Sequence, residues 1–161
     1  MTGPSRPGSA GPRGRWSIEA RARSSAPVEE VWPLIGEAHR WTEWSFLDRA
    51  ELEREGTPVP DGVGALRRFT RHGVGSLEEV VAYEPPHHLG YAILKGFPVR
   101  HYRADVTCTP DGSGTVIAWS ATFDEKIPGT GHLMVLVVGR LVRGFATAAA
   151  RFAEQQHGPP A

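Results

Sequence analysis

The sequence of 161 residues has one cysteine, no excess of charge and no long uncharged apolar run. The lone Cys108 excludes an intramolecular disulfide and fits a reducing compartment, so we expect a cytoplasmic protein. The 18 basic residues balance the 18 acidic ones, which argues against a dedicated nucleic-acid binder. Arg140 and Arg143 interrupt the most apolar stretch before it reaches the roughly 18 uncharged residues of a membrane span, so we expect no stable membrane insertion.

Motifs for metal, nucleotide and nucleophile chemistry are also missing. There is no HExxH, no paired CxxC and no facial pattern of two histidines and a carboxylate, and the adjacent His87 and His88 would point to opposite faces of a strand. No Gly-x-Ser-x-Gly elbow occurs, and Cys108 lies in an apolar strand rather than in an electropositive cleft. The glycines do not follow a strand and open a helix at phosphate-binding spacing. The sequence therefore predicts neither a metal nor a cofactor.

The two ends of the chain differ in composition from its middle. Residues 1–14, MTGPSRPGSAGPRG, are rich in Gly, Pro, Ser and Arg and predict a disordered tail. Residues 157–161, HGPPA, predict a second short tail. Residues 15–156 have a length that suits one domain with a continuous core.

The last apolar run, residues 132–156, predicts one long amphipathic helix. At 3.6 residues per turn, a polar stripe holds Arg140, Arg143, Thr147, Arg151 and Glu154. The opposite, apolar stripe holds Met134, Val138, Leu141, Val142, Phe145, Ala148, Ala149 and Phe152. In the first turns, however, Leu133, Leu136 and Val137 extend the apolar character around the helix. We expect something additional to cover them.

Upstream of this helix, most of the sequence predicts short strands. Residues 16–24 alternate between apolar and polar side chains, as a half-buried strand does. Ser25 can cap a first short helix over 28–35, and a second follows over 38–44. Turn residues then divide the chain into six strands at 48–55, 64–72, 76–84, 88–96, 99–109 and 114–125. The predicted fold is α+β: a seven-stranded curved antiparallel sheet around the C-terminal helix, with two short helices after strand 1.

Several segments resemble the SRPBCC, or START-like, superfamily of helix-grip proteins, in particular the polyketide cyclase/dehydrase and lipid-transport type. The resemblance covers residues 15–156. It rests on 26–32 (APVEEVW), Trp41 and Trp44, 64–67 (GALR), 84–86 (EPP) with Leu89 and Tyr91, 96–98 (GFP) with Tyr102, and 114–115 (GT) with Trp119. It implies an apolar cavity between sheet and helix, entered near the short helices and the loop 124–131.

Strand alternation and the apolar helix face select the side chains expected to contact a ligand in this cavity. They are Phe69, Tyr91, Ile93, Tyr102, Val106, Trp119, Phe123, Met134, Val138, Leu141 and Phe145.

Five residues are candidates for chemistry in the cavity: Arg67, Glu78, Tyr91, His101 and Tyr102. A two-residue hairpin within His72–Gly75 would place Phe69 opposite Glu78 and make Arg67 and Glu78 diagonal neighbours on one face. Such a buried ion pair is either structural or ligand-orienting. Arg67 or a tyrosine could polarise a carbonyl, and His101 or Glu78 could move a proton. His132 is a further candidate base.

Three functions remain open from the sequence. The first is the binding of a hydrophobic small molecule, such as a polyketide, lipid or isoprenoid, which needs no catalytic residue. The second is an aromatase/cyclase-like reaction, in which aldol closure and dehydration of a poly-β-ketone follow from folding the chain in a shaped pocket. The third is a protein-interaction or stress-related module of the same fold. The sequence leaves the oligomeric state open.

Overall fold

A computed structural model describes residues 15–158. The predicted N-terminal tail, 1–14, and residues 159–161 of the predicted C-terminal tail lie outside this range. The elements are β1 (Arg15–Ser24), α1 (Val28–Gly36), α2 (Trp41–Trp44), β2 (Arg49–Arg54), β3 (Leu66–Arg71), β4 (Val74–Glu84), β5 (His88–Lys95), β6 (Val99–Asp111), β7 (Gly114–Glu125) and α3 (Gly131–His157). A single 3₁₀ turn, Ala38–Arg40, leads into α2.

The strands form one antiparallel sheet in the order β1-β7-β6-β5-β4-β3-β2. Strands β2 to β7 follow one another as a meander, and β1 closes the sheet beside β7. Every pairing in the sheet is antiparallel, including that of β2 with β3, which a longer loop over residues 55–65 joins. The predicted fold class is confirmed: a seven-stranded sheet grips a long C-terminal helix, and two short helices follow strand 1.

The buried face of α3 is rotated from the predicted one. Its buried residues are Gly131, Met134, Val138, Gly139, Val142, Ala146, Ala149, Ala150 and Ala153. Leu141, Phe145, Ala148 and Phe152, predicted on this face, are only half-buried at its flank. Small side chains bury readily without adding to an apolar pattern, so most alanines of α3 lie on its core face while its phenylalanines lie at the flank.

The first turns of α3 leave an apolar patch at the surface. Leu133, Leu136 and Val137 are 58%, 66% and 45% exposed. By length and composition alone α3 also qualifies as a candidate membrane span, despite Arg140 and Arg143. In this fold its apolar face packs on the sheet, as expected of a core helix.

Two tryptophans of α2 form hydrogen bonds with α1. The indole Nε1 of Trp41 donates to the carbonyl of Ile35 at 3.1 Å, and that of Trp44 donates to the carbonyl of Leu34 at 2.9 Å. Both carbonyls belong to the last turn of α1, whose carbonyl groups have no amide donor within the helix. Trp41 is thereby fixed over the sheet, with only 1% of its surface exposed.

The hairpin between β3 and β4 corrects the predicted register. The two turn residues are His72 and Gly73, whose φ angles are 51° and 79°. A two-residue turn with positive φ at both positions matches the twist of a hairpin, and a β-branched residue such as Val74 is poorly suited to it. Arg71 therefore pairs with Val74, and Arg67 lies directly opposite Glu78 instead of diagonal to it. Phe69 faces Ser76.

Ser24 joins the end of β1 to α3. Its buried hydroxyl donates to the carbonyl of Ala150 at 3.0 Å and accepts from the amide of Ala26 at 3.2 Å. Ser25, predicted to cap α1, is exposed, and the residue before the first turn of α1 is Pro27, which makes no side-chain cap. The structural hydroxyl at this corner is thus that of Ser24.

We predict that Ser24→Ala lowers the free energy of unfolding by about 1–3 kcal/mol, because it leaves the buried amide of Ala26 without its acceptor and removes the hydrogen bond to the carbonyl of Ala150. Ser25→Ala is the matched control and should change this free energy by less than about 0.5 kcal/mol. Urea unfolding of the three proteins measures both values. Equal stability of the two variants would contradict the role assigned to Ser24.

Candidate functional site

A cavity of about 130 Å³ lies between the sheet and the N-terminal half of α3. The turn after α2, the β3–β4 hairpin and the loop before β6 surround it. Its walls are Trp41, Phe46, Leu47, Phe69, Val74, Gly75, Ser76, Glu78, Tyr91, Ile93, Phe97, Tyr102, Val138, Leu141, Val142 and Phe145. The lining is apolar except at one end, where Ser76, Glu78 and two tyrosine hydroxyls lie.

Most of the predicted ligand-contacting residues line this cavity. They are Phe69, Tyr91, Ile93, Tyr102, Val138, Leu141 and Phe145. Val106, Trp119, Phe123 and Met134 do not line it and belong to the core. Val106 pairs with Trp119 farther along the sheet, and Phe123 lies against Tyr102 with ring centroids 6.4 Å apart. Alternation identifies which face of a strand is buried, but it does not show which part of that face borders the cavity.

The sequence analysis missed the cavity residues that come from turns and from α2. Phe46 and Leu47 follow α2, Val74 and Gly75 begin β4, and Phe97 lies between β5 and β6. Period-two alternation does not apply to such positions, and only the aromatic character of Phe46 and Phe97 in otherwise polar turns could have pointed to them. Trp41, Ser76 and Val142 were missed as well.

Arg67 and Glu78 form a buried ion pair at the polar end. Arg67 is 0% exposed, and its Nη2 donates to Oε2 of Glu78 at 3.0 Å. Among the described residues, Nε and Nη1 of Arg67 find no acceptor. The guanidinium carbon instead lies 5.3, 5.1 and 5.4 Å from the ring centroids of Trp41, Phe69 and Tyr91. Arg67 is thus covered by aromatic faces behind the cavity wall, and only Glu78 of the pair borders the cavity.

The acidic groups at this end have raised pKa values because they are buried. Burial raises the pKa of Glu78, against the opposing effects of the Arg67 charge and of hydrogen bonds from Arg67 and Ser76. Burial likewise raises the pKa of Tyr91 and of Tyr102 above the ordinary phenol value. The Tyr91 hydroxyl accepts from Nε1 of Trp119 at 3.1 Å, and a hydrogen bond with Tyr91 partly opposes the rise in the pKa of Tyr102. A carboxyl and two phenols therefore meet in one apolar enclosure.

The two histidine candidates lie elsewhere. His101 sits at an irregularity between Arg100 and Arg103, with φ 50°, and its Nδ1 contacts Oδ2 of Asp124 at 2.8 Å on the exposed side of the sheet. Since Tyr102 points inward, alternation itself places its neighbour outward. His132 is exposed at the start of α3, with its ring centroid 4.5 Å from that of Trp16. Neither borders the cavity.

Neither Cys108 nor a metal-binding cluster provides a second centre of chemistry within the part of the chain that the structure describes. Burial raises the pKa of the Cys108 thiol to about 12, so it stays protonated within an apolar strand. Within residues 15–158, no three His, Cys, Asp or Glu side chains are grouped so as to hold a metal ion.

The family model for polyketide cyclase/dehydrase and lipid transport matches residues 15–155. The chain belongs to this family. Among curated protein sequences, none matches it.

Solved structures share the fold of this polyketide cyclase/dehydrase and lipid-transport family member. The crystal structure of Ara h 8.0201 has a TM-score of 0.70 and 16% identity over 88% of this chain and 99% of that one. A Thermobifida fusca protein solved by solution NMR has a TM-score of 0.70 and 24% identity over 89% and 97% of the two chains. Norcoclaurine synthase from Thalictrum flavum, crystallised with dopamine and hydroxybenzaldehyde, has a TM-score of 0.69 and 16% identity over 97% and 100%.

We predict a specific pH dependence for the Arg67–Glu78 pair. Because the pKa of Glu78 is raised in the folded protein, its protonated form stabilises the fold fully below the unfolded value of about 4.3, and this stabilisation is lost as pH rises through the folded value. Glu78→Gln lacks this titration. The difference in unfolding free energy, wild type minus variant, should therefore fall as pH rises above about 4.3.

Urea unfolding of wild type and Glu78→Gln across this range measures the difference, and the other carboxylates cancel because both proteins contain them. A difference that grows with pH would show that the Arg67 charge outweighs burial and keeps Glu78 ionised.

Proposed function

We propose that this protein binds a hydrophobic small molecule of the polyketide, lipid or isoprenoid kind in the cavity between its sheet and α3. One observation carries the proposal: an apolar cavity of about 130 Å³ has hydrogen-bonding groups at one end only. Apolar walls supply affinity at roughly 25 cal/mol per Å² of buried surface, and a few polar groups fix orientation. We further propose one cytoplasmic domain over residues 15–156, with no nucleic-acid partner and no stable membrane insertion.

The size of the cavity limits what it holds without rearrangement. At about 130 Å³ it is close to the roughly 150 Å³ of an engineered cavity that binds benzene, and below the roughly 300 Å³ at which drug-sized sites begin. A single aromatic ring fits this space. A longer polyketide or lipid requires side chains at the mouth to move.

One of the structurally similar proteins was crystallised with ligands of this size. Norcoclaurine synthase from Thalictrum flavum was solved with dopamine and hydroxybenzaldehyde, each of which has one aromatic ring. At 16% identity it shares the fold, and its reaction is not carried over to this chain. It supports a single-ring compound as the first ligand to test.

Native mass spectrometry of protein purified from its own host, followed by organic extraction, tests the proposal. We expect a stoichiometric, mainly apolar molecule to accompany the protein. An empty protein that also fails to bind single-ring compounds would contradict ligand binding and favour the interaction module, for which the exposed residues of α3 would be the surface.

We predict that Ile93→Trp weakens the binding of p-cresol, a single ring with one hydroxyl, by at least about tenfold, or 1.4 kcal/mol. Ile93 lies on the cavity wall and pairs with Glu78 across the sheet, so an indole there occupies the ligand's space. Leu94→Trp is the matched control, because Leu94 is the next residue along the strand and is exposed. Isothermal titration calorimetry measures both; equal effects would place the ligand outside the cavity.

The aromatase/cyclase-like alternative has one observation in its favour. Glu78, Tyr91 and Tyr102 border the same cavity, and a carboxyl with a raised pKa is suited to moving a proton near neutral pH. In this reaction Glu78 would take a proton from the carbon between two carbonyls, and a phenol would donate a hydrogen bond to the enolate oxygen. The candidates for chemistry in this reaction are therefore Glu78, Tyr91 and Tyr102. Arg67 would act as the partner of Glu78, and His101 is not a candidate because it does not border the cavity.

We predict that, if the extracted molecule or its precursor is converted, Glu78→Gln abolishes the conversion and leaves the precursor's affinity within about twofold. Mass spectrometry of the recovered compound follows conversion, and calorimetry follows affinity. Recovery of every tested compound unchanged from wild type would identify a carrier instead of an enzyme.

A further inference from the structure

A second concave surface lies on the outer side of the cavity wall. This groove, of about 600 Å³, is lined by Trp44, Ser45, Phe46, Val137, Arg140, Leu141, Gly144, Phe145 and Ala148. From Val137 to Ala148 it follows α3 for about 16 Å at the helical rise of 1.5 Å per residue. Its shape is therefore that of a site for an elongated molecule.

Three side chains separate the groove from the inner cavity. Phe46, Leu141 and Phe145 line both spaces. The rings of Phe46 and Phe145 stack with centroids 5.4 Å apart and planes 6° from parallel. Phe46 is 48% exposed and belongs to a turn, so it is the less confined of the two. Rotation of Phe46 out of the stack would join the groove to the cavity.

Arg140 places a positive charge at the rim of the groove, and Gly144 leaves its floor open. Arg140 is exposed, and in the described part of the chain it forms none of the ion pairs within 4.0 Å. Gly144, one turn farther along α3, would meet no atom within 4 Å if it carried a Cβ. A glycine inside a helix is costly, and here its missing side chain keeps the floor of the groove clear.

We propose that the groove extends the ligand site and binds an elongated apolar carboxylate, such as a fatty acid, with its carboxylate at Arg140 and its chain passing Phe46 and Phe145 into the cavity. This inference rests on the proposed function and adds a ligand class to it. The planar guanidinium suits a carboxylate, which it can hold through two parallel hydrogen bonds. The apolar walls on both sides of the arginine suit the chain.

A fluorescent polyene acid, cis-parinaric acid, and its methyl ester test the charge requirement. Wild type should bind the acid more tightly than the ester. Arg140→Gln should weaken binding of the acid about 3- to 10-fold and leave that of the ester unchanged. Arg143→Gln is the matched control: Arg143 lies on the same exposed side of α3 but does not line the groove. It should bind both probes as wild type does.

Gly144→Leu tests the groove itself. The leucine fills the floor without touching the inner cavity, so it should weaken parinaric acid binding at least about tenfold while p-cresol binds as before. Equal losses in Arg140→Gln and Arg143→Gln would overturn the proposal and indicate a diffuse basic face, as for an anionic membrane or an acidic protein. Unchanged acid binding in Gly144→Leu would overturn it as well. If wild type binds p-cresol but not parinaric acid, this inference fails alone; if it binds neither, the proposed function fails.

Discussion

The burial of one positive charge constrains the rest of the site. Arg67 has no exposed surface, and an unmatched charge in that position would cost several kcal/mol. The fold meets this cost with Glu78 directly across the β3–β4 pair and with aromatic faces above the guanidinium. This arrangement depends on the hairpin register, since a shift of one residue would turn Glu78 to the other face of the sheet.

The long helix divides the interior into two parts. Toward its C-terminus the buried residues are alanines, which permit close packing against the sheet. Toward its N-terminus larger side chains, Val138, Leu141, Val142 and Phe145, face the cavity. The same half of the helix carries the exposed Leu133, Leu136 and Val137. Space for a ligand and apolar surface therefore occur together at one end of α3.

Much of the fold could be predicted from the sequence, because alternation, turn residues and helical periodicity act locally. The seven strands and three helices occur within a few residues of their predicted bounds. These local patterns predicted the candidate functional site less completely. The pairing of Arg67 with Glu78 depended on which two residues form the turn, and the φ angles of His72 and Gly73 decide that. Alternation could not show that Val106 and Phe123 lie beyond the cavity, nor that Phe46 and Phe97 come to it from turns.

The central claim is that an apolar ligand binds between the sheet and α3, and the most direct test is to locate one. Amide chemical shifts of the isotope-labelled protein, recorded by NMR during titration with p-cresol, report where it binds. The account predicts the largest shifts at Ser76, Ile93, Val138 and Val142, on opposite walls of the cavity. Shifts confined to the exposed residues Leu133 and Leu136, or no saturable shift at all, would contradict it.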